Sequence, residues 1–89
     1  MSIHASHPDI IKRLKRAEGH LRRVIAMLED GRPCVDVAQQ LHAVEKAVAN
    51  AKQTLVHDHI DHCLDHAVHA GDQRPQDALL ELKTITKYL

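Results

Sequence analysis

Cys34, His59 and Cys63 are the residues of this 89-residue chain whose types and spacing could do chemistry together. His59 and Cys63 stand four positions apart, one turn of a helix, so an imidazole and a thiol on one face can reach the same ion. Alone the pair is a weak signal, because a polar histidine on a solvated face beside a small buried cysteine has the same spacing. Cys34 strengthens it. It precedes Cys63 in a stretch free of Gly and Pro, which at helical rise puts the two thiols roughly 43 Å apart, far beyond a disulfide or a shared ligand within one chain. An antiparallel copy of the same helix removes the difficulty. A two-fold axis near Ala47 and Val48 sets Cys34 of one copy beside His59 and Cys63 of the other, giving two equivalent sites of two thiolates and one imidazole.

Soft and borderline donors of this kind suit Cu(I), Zn(II) or Ni(II) and disfavour Mg and Ca. Three donors in a plane satisfy Cu(I), whereas a fourth nitrogen favours square-planar Ni(II) or tetrahedral Zn(II). His4 or His7, at the start of the chain, could supply it. Five of the nine histidines fall within residues 57–69. His62 shares the general face of His59 and Cys63 and is a candidate for supporting the ligands or replacing one, while His66 and His69 continue the stripe as solvent-facing or auxiliary residues. His20 and His42 read as packing or surface residues.

Three helices must position these groups. Ser6-His7-Pro8-Asp9 reads as a helix start, and Ile11, Leu14, Leu21, Ile25 and Leu28 then repeat at three-and-four spacing until Gly31-Arg32-Pro33 ends the helix. Gly19 interrupts it at a cost of about 1 kcal/mol, which predicts a close approach there by a neighbouring helix or by DNA. From Cys34 to about residue 70 one long helix carries Leu41, Val44, Val48, Ala51 and Leu55. Asp72-Gln73-Arg74-Pro75 is a turn, and Ala78, Leu79, Leu82 and Ile85 mark a short third helix.

The expected fold is therefore all-α, a single domain over residues 1–89 built as a three-helix protomer with one long central helix. That helix would run roughly 55 Å, against a radius of gyration of about 12 Å for a compact chain of this size. A second copy must cover it. With no Phe, no Trp and one Tyr, the core is left to Ala, Val, Leu and Ile, and Ala43, Ala47, Ala49 and Ala51 allow close approach. An antiparallel four-helix-bundle dimer follows.

The formal net charge is zero, yet the charge is not evenly spread. Residues 1–33 hold seven Lys and Arg against four acids, and the remainder reverses the balance. Lys12, Arg13, Lys15, Arg16, Arg22 and Arg23 lie off the apolar stripe of the first helix, a basic face for DNA phosphates, with Lys46 and Lys52 as contributors from the second. Helix-turn-helix spacing is absent, which predicts recognition dominated by backbone contacts and shape. Two cysteines, no apparent leader and no apolar run of about 20 residues predict a cytoplasmic protein without a membrane partner.

Cys34, His59 and Cys63 at these intervals, after a first helix carrying Arg13-Leu14-Lys15-Arg16-Ala17-Glu18-Gly19-His20 and with Gln39-Gln40-Leu41 early in the second, resemble the copper-sensitive operon repressor and nickel/cobalt repressor family over nearly the whole chain. The resemblance implies a dimer of dimers that binds operator DNA without metal and releases it when metal binds, with Cys34, His59 and Cys63 as ligands across the subunit boundary. It implies no enzymatic activity. Two departures bear on the metal. The copper branch typically has a tyrosine where this chain has Pro33, and a histidine-bearing N-terminus looks like the nickel/cobalt branch. The expectation is Ni(II) or Co(II) ahead of Cu(I), with Zn(II) as a further candidate. His20 stands where a glutamine is common. Other functions compatible with these residues are metal storage or metallochaperone activity, and a formaldehyde-responsive repressor using Cys34 as nucleophile, although such repressors usually lack a thiol at the position of Cys63.

Overall fold

A computed structural model describes residues 5–69 and 75–89, with side chains described for 5–65 and 76–89. The elements are α1 (His7–Glu29), α2 (Cys34–His69), α3 (Pro75–Ile85) and a closing 3-10 turn (Thr86–Tyr88). All three expected helices are present, the central one 36 residues long. The described residues form two compact units, residues 8–52 and residues 5–7 with 53–89.

In the unit of residues 8–52, α1 turns back into the first half of α2. Gly31 makes the turn, with φ at +69°, a conformation costly for any residue with a Cβ. The amide of Arg32 donates to the carbonyl of Met27 at 2.9 Å and that of Gly31 to Leu28 at 3.1 Å. This pairing closes a helix on a left-handed glycine. Pro33 then accepts at 3.1 Å from the amide of Val37, the first hydrogen bond of α2, while Asp36 sits in the first turn at the positive end of the helix dipole.

On α1 the row that packs inside this unit differs from the one the large residues suggested, while Val44 and Ala51 of the expected α2 stripe are buried. Ile10, Ala17 and Val24 are buried on α1, each seven positions from the next, and Val37, Val44 and Ala51 are buried on α2 at the same interval. Val24, Val37 and Val44 form one cluster, with Met27 packed against it. The bulkier row of Ile11, Leu14, Leu21, Ile25 and Leu28 remains 41–60% exposed, as do Leu41, Val48 and Leu55 on α2 at 39–47%. Small side chains let two helices approach closely, so the beta-branched and alanine row takes the inner seam and the leucines flank it.

In the other unit the second half of α2 carries Val56 and Cys63, again seven apart and both buried, together with Ala78 of α3. Leu82 and Ile85 are half-buried. Cys63 thus occupies a core position of its helix. Ser6 belongs to this unit as well, its hydroxyl donating to Asp58 Oδ2 at 2.7 Å. No helix among the described residues is long and apolar enough to cross a membrane.

Candidate functional site

The one-turn spacing of His59 and Cys63 does bring their side chains together, and α3 adds a third donor. His59 Nε2 lies 3.5 Å from Glu81 Oε2, and the Cys63 thiol donates to the same oxygen at 3.7 Å. One donor atom from each of the three lies within 4.8 Å of the others. Ions that bind at roughly 2.0–2.3 Å to nitrogen, sulfur and oxygen hold their donors about 3.3–3.8 Å apart in a tetrahedron, so a small contraction would fit this set to one transition metal. An imidazole and a thiol disfavour the hard cations Mg and Ca.

The electrostatics of the cluster favour a protonated thiol in the absence of metal. Burial pushes the Cys63 thiol above its ordinary value, the negative charge of Glu81 pushes it further, and the hydrogen bond to Glu81 adds to both. A bound cation must displace that proton, and its positive charge offsets the repulsion between thiolate and carboxylate.

Glu81 is the residue that sequence reasoning missed. Its signal was present but faint: it stands three positions after Ala78 and four before Ile85, an acid beside the inward row of an otherwise amphipathic helix.

The remaining expected ligands are placed differently. Cys34 is a free, exposed thiol at the start of α2 and belongs to the other compact unit; it is not part of the described ligand cluster. The His62 ring centre stands 6.5 Å from that of His59, tilted by 38°, and His62 is likewise outside the cluster. His4 and the side chains of His66 and His69 lie outside the described residues. His7 opens α1 and is half-buried. Ser6, beside it, is hydrogen-bonded to Asp58, the residue preceding His59.

The six bases of α1 are all exposed. Arg13 pairs with Asp9 at 2.8 Å and Arg22 with Glu18 at 3.2 Å, each one turn apart along the helix. Arg13, Lys15, Arg16 and Arg23 line an open groove of about 650 Å³ between α1 and α2, to which Ala47 and Asn50 contribute from α2. A methyl group built on Gly19, which lines the same groove, would meet nothing within 4 Å beyond its chain neighbours and its own helix backbone among the described residues. No other described helix of this chain makes the close approach expected there.

Comparison with known proteins gives a consistent result. A family profile described as metal-sensitive transcriptional repressor matches residues 6–87. The copper-sensing transcriptional repressor CsoR of Bacillus subtilis (strain 168) is 40% identical over 79 residues, 89% of this chain and 76% of that protein. CsoR of Mycobacterium ulcerans (strain Agy99) is 41% identical over 78 residues, 88% of this chain and 65% of that protein, so the chain spans slightly less than two thirds of it. Among solved structures, the nickel-responsive transcriptional regulator InrS superposes with a TM-score of 0.82 at 31% identity, covering 100% of this chain and 99% of that one.

Proposed function

Because the chain belongs to the metal-sensitive transcriptional repressors, we propose that it holds operator DNA through the bases of α1 when metal-free and lets it go when a transition metal is held by His59 and Cys63 of one copy and Cys34 of a second. The observation that carries this reading is the convergence of His59, Cys63 and Glu81 on a single point. Cys34, exposed in the other compact unit, supplies a further thiol when two copies of α2 run antiparallel. Lys12, Arg13, Lys15, Arg16, Arg22 and Arg23 then form the phosphate-contacting face, repeated in each copy of a dimer or dimer of dimers.

For the metal we favour Ni(II) or Co(II). Beyond two thiols and an imidazole, the chain offers further nitrogen and oxygen donors. Glu81 lies in the cluster, and the hydrogen bond from Ser6 to Asp58 sets the residue before His7 beside the turn that carries His59. Pro33 replaces the tyrosine typical of copper sensors, and the likeness to a nickel-responsive regulator points the same way. His4 or His7 is the fourth ligand in this reading, and His62 an auxiliary one. Cu(I) is the second reading, favoured by the identity to copper-sensing repressors and by the sufficiency of two thiolates and one imidazole.

The coupling follows from position. His59, Cys63 and Glu81 draw together around the ion, while the segment before α1 is tied to the same turn through Ser6. A change of geometry there restrains the helix bearing the bases, and by linkage DNA weakens metal binding by the factor that metal weakens DNA binding. The test is a titration of the apo protein with Ni(II), Co(II), Zn(II) and Cu(I), read by visible absorption and by fluorescence anisotropy of labelled DNA from upstream of its own gene. Ni(II) or Co(II) should give ligand-field and thiolate charge-transfer bands, and saturation should coincide with loss of DNA binding. Release by Cu(I) alone, without visible bands, selects the copper reading. Stoichiometric metal uptake with DNA affinity unchanged by any of the metals rejects sensing in favour of storage.

A further inference from the structure

The groove between α1 and α2 holds a residue whose chemistry differs from that of its neighbours. Its bases come from α1 as Arg13, Lys15, Arg16 and Arg23, and among the described residues the one acid lining it is Asp9, already paired with Arg13. From α2 it receives Ala47 and Asn50, neither charged. His20 lines the same space and makes a hydrogen bond of 2.7 Å to Oε1 of Gln40 on α2. An amide oxygen can only accept, so Nε2 carries the proton in this arrangement and Nδ1 is the atom that takes up a second one. Gly19, next to it, leaves open space where a side chain would otherwise stand.

We propose that this groove seats a backbone phosphate of the bound duplex and that His20, in its protonated form, is one of the groups that hold it. The inference rests on the operator-binding reading above and adds a contact residue and its signature. A phosphodiester and the arginines keep their charges throughout the neutral range, so imidazole is the one kind of group in the groove that ordinarily changes charge near neutrality. A phosphate seated beside His20 favours the doubly protonated ring by charge attraction. DNA binding and proton uptake at His20 are therefore linked, and affinity rises as pH falls.

The test measures anisotropy of the labelled upstream duplex used above, across a range of salt concentrations. Metal-free wild type, His20→Gln and His20→Lys, each checked for helicity by circular dichroism, are compared near pH 6 and near pH 8. The ratio of wild-type to His20→Gln affinity should be at least about threefold larger near pH 6, since a charge-assisted contact is present in one protein only. The wild-type dependence of log affinity on log salt should steepen near pH 6 by about 0.9 for each phosphate so engaged. His20→Lys, charged at both pH values, should lose most of the pH dependence at the tight-binding end. The other eight histidines cancel in these ratios. Equal pH dependence in wild type and a folded His20→Gln overturns the assignment, as does full pH dependence in His20→Lys. No binding of wild type to the duplex at either pH overturns the DNA-binding reading itself.

Discussion

At the residue scale the decisive group is the buried Cys63 thiol, because burial and the neighbouring Glu81 both work against its ionisation. In a Cys34→Ala background Cys63 is the remaining thiol, so thiolate absorbance in the ultraviolet should rise at a pH above that of an ordinary cysteine. Glu81→Gln removes the negative charge while leaving the burial, so its midpoint should move down toward the ordinary value without reaching it. An unchanged midpoint would mean that Glu81 does not act on the thiol. The same raised pKa gives metal uptake its pH dependence: each proton expelled makes apparent affinity climb about tenfold per pH unit while the thiol is protonated. The sequence made His59 and Cys63 legible because a four-residue step on a helix determines their geometry. Glu81 was not legible in that way. It reaches the cluster from a separate helix, and spacing along a chain carries no information about where a later helix will lie.

At the scale of the element, the turn between α1 and α2 was legible to the residue, because glycine followed shortly by proline has few conformational options. Its φ of +69° puts a test on Gly31. Gly31→Ala places a Cβ in the left-handed region and should cost about 1–2 kcal/mol in a denaturant melt of the metal-free protein. Gly19→Ala, with open space around it and a helical backbone, should instead stabilise by up to about 1 kcal/mol. Equal effects at the two positions would contradict the turn geometry. The inner packing was less legible. Periodicity singled out Leu14, Leu21 and Leu28, yet Ile10, Ala17 and Val24 are the buried row. Both rows repeat at the helical interval, and a scale that rewards large apolar residues ranks the flanking row first. Which row meets a helix of the same chain depends on how closely the two backbones can approach.

At the scale of the whole molecule, the exposed rows demand a covering. Leu14, Leu21 and Leu28 on α1 and Leu41, Val48 and Leu55 on α2 each repeat every seven positions, the pattern of a helical bundle seam, and each is more than a third exposed. At about 25 cal/mol per Å² of apolar surface, leaving such rows in water forfeits several kcal/mol, comparable to the stability of a small domain. Sedimentation of the metal-free protein at micromolar concentration should therefore give a dimer or tetramer, with unfolding that shifts to higher temperature as concentration rises. A folded, helical monomer with a concentration-independent melt would remove the basis for a shared site. If the second copy is antiparallel, Cys34 of each protomer meets His59 and Cys63 of the other, and this can be tested by complementation. Cys34→Ala protomers and His59→Ala/Cys63→Ala protomers are refolded separately and together, and tight Ni(II) or Cu(I) uptake is counted against a competing chelator. Neither variant alone should hold the ion tightly, whereas random pairing in an equal mixture should restore about one tight site per four chains. A mixture that recovers no tight site, or a Cys34→Ala protein that binds as well as the wild type by itself, would contradict a metal centre built across two subunits.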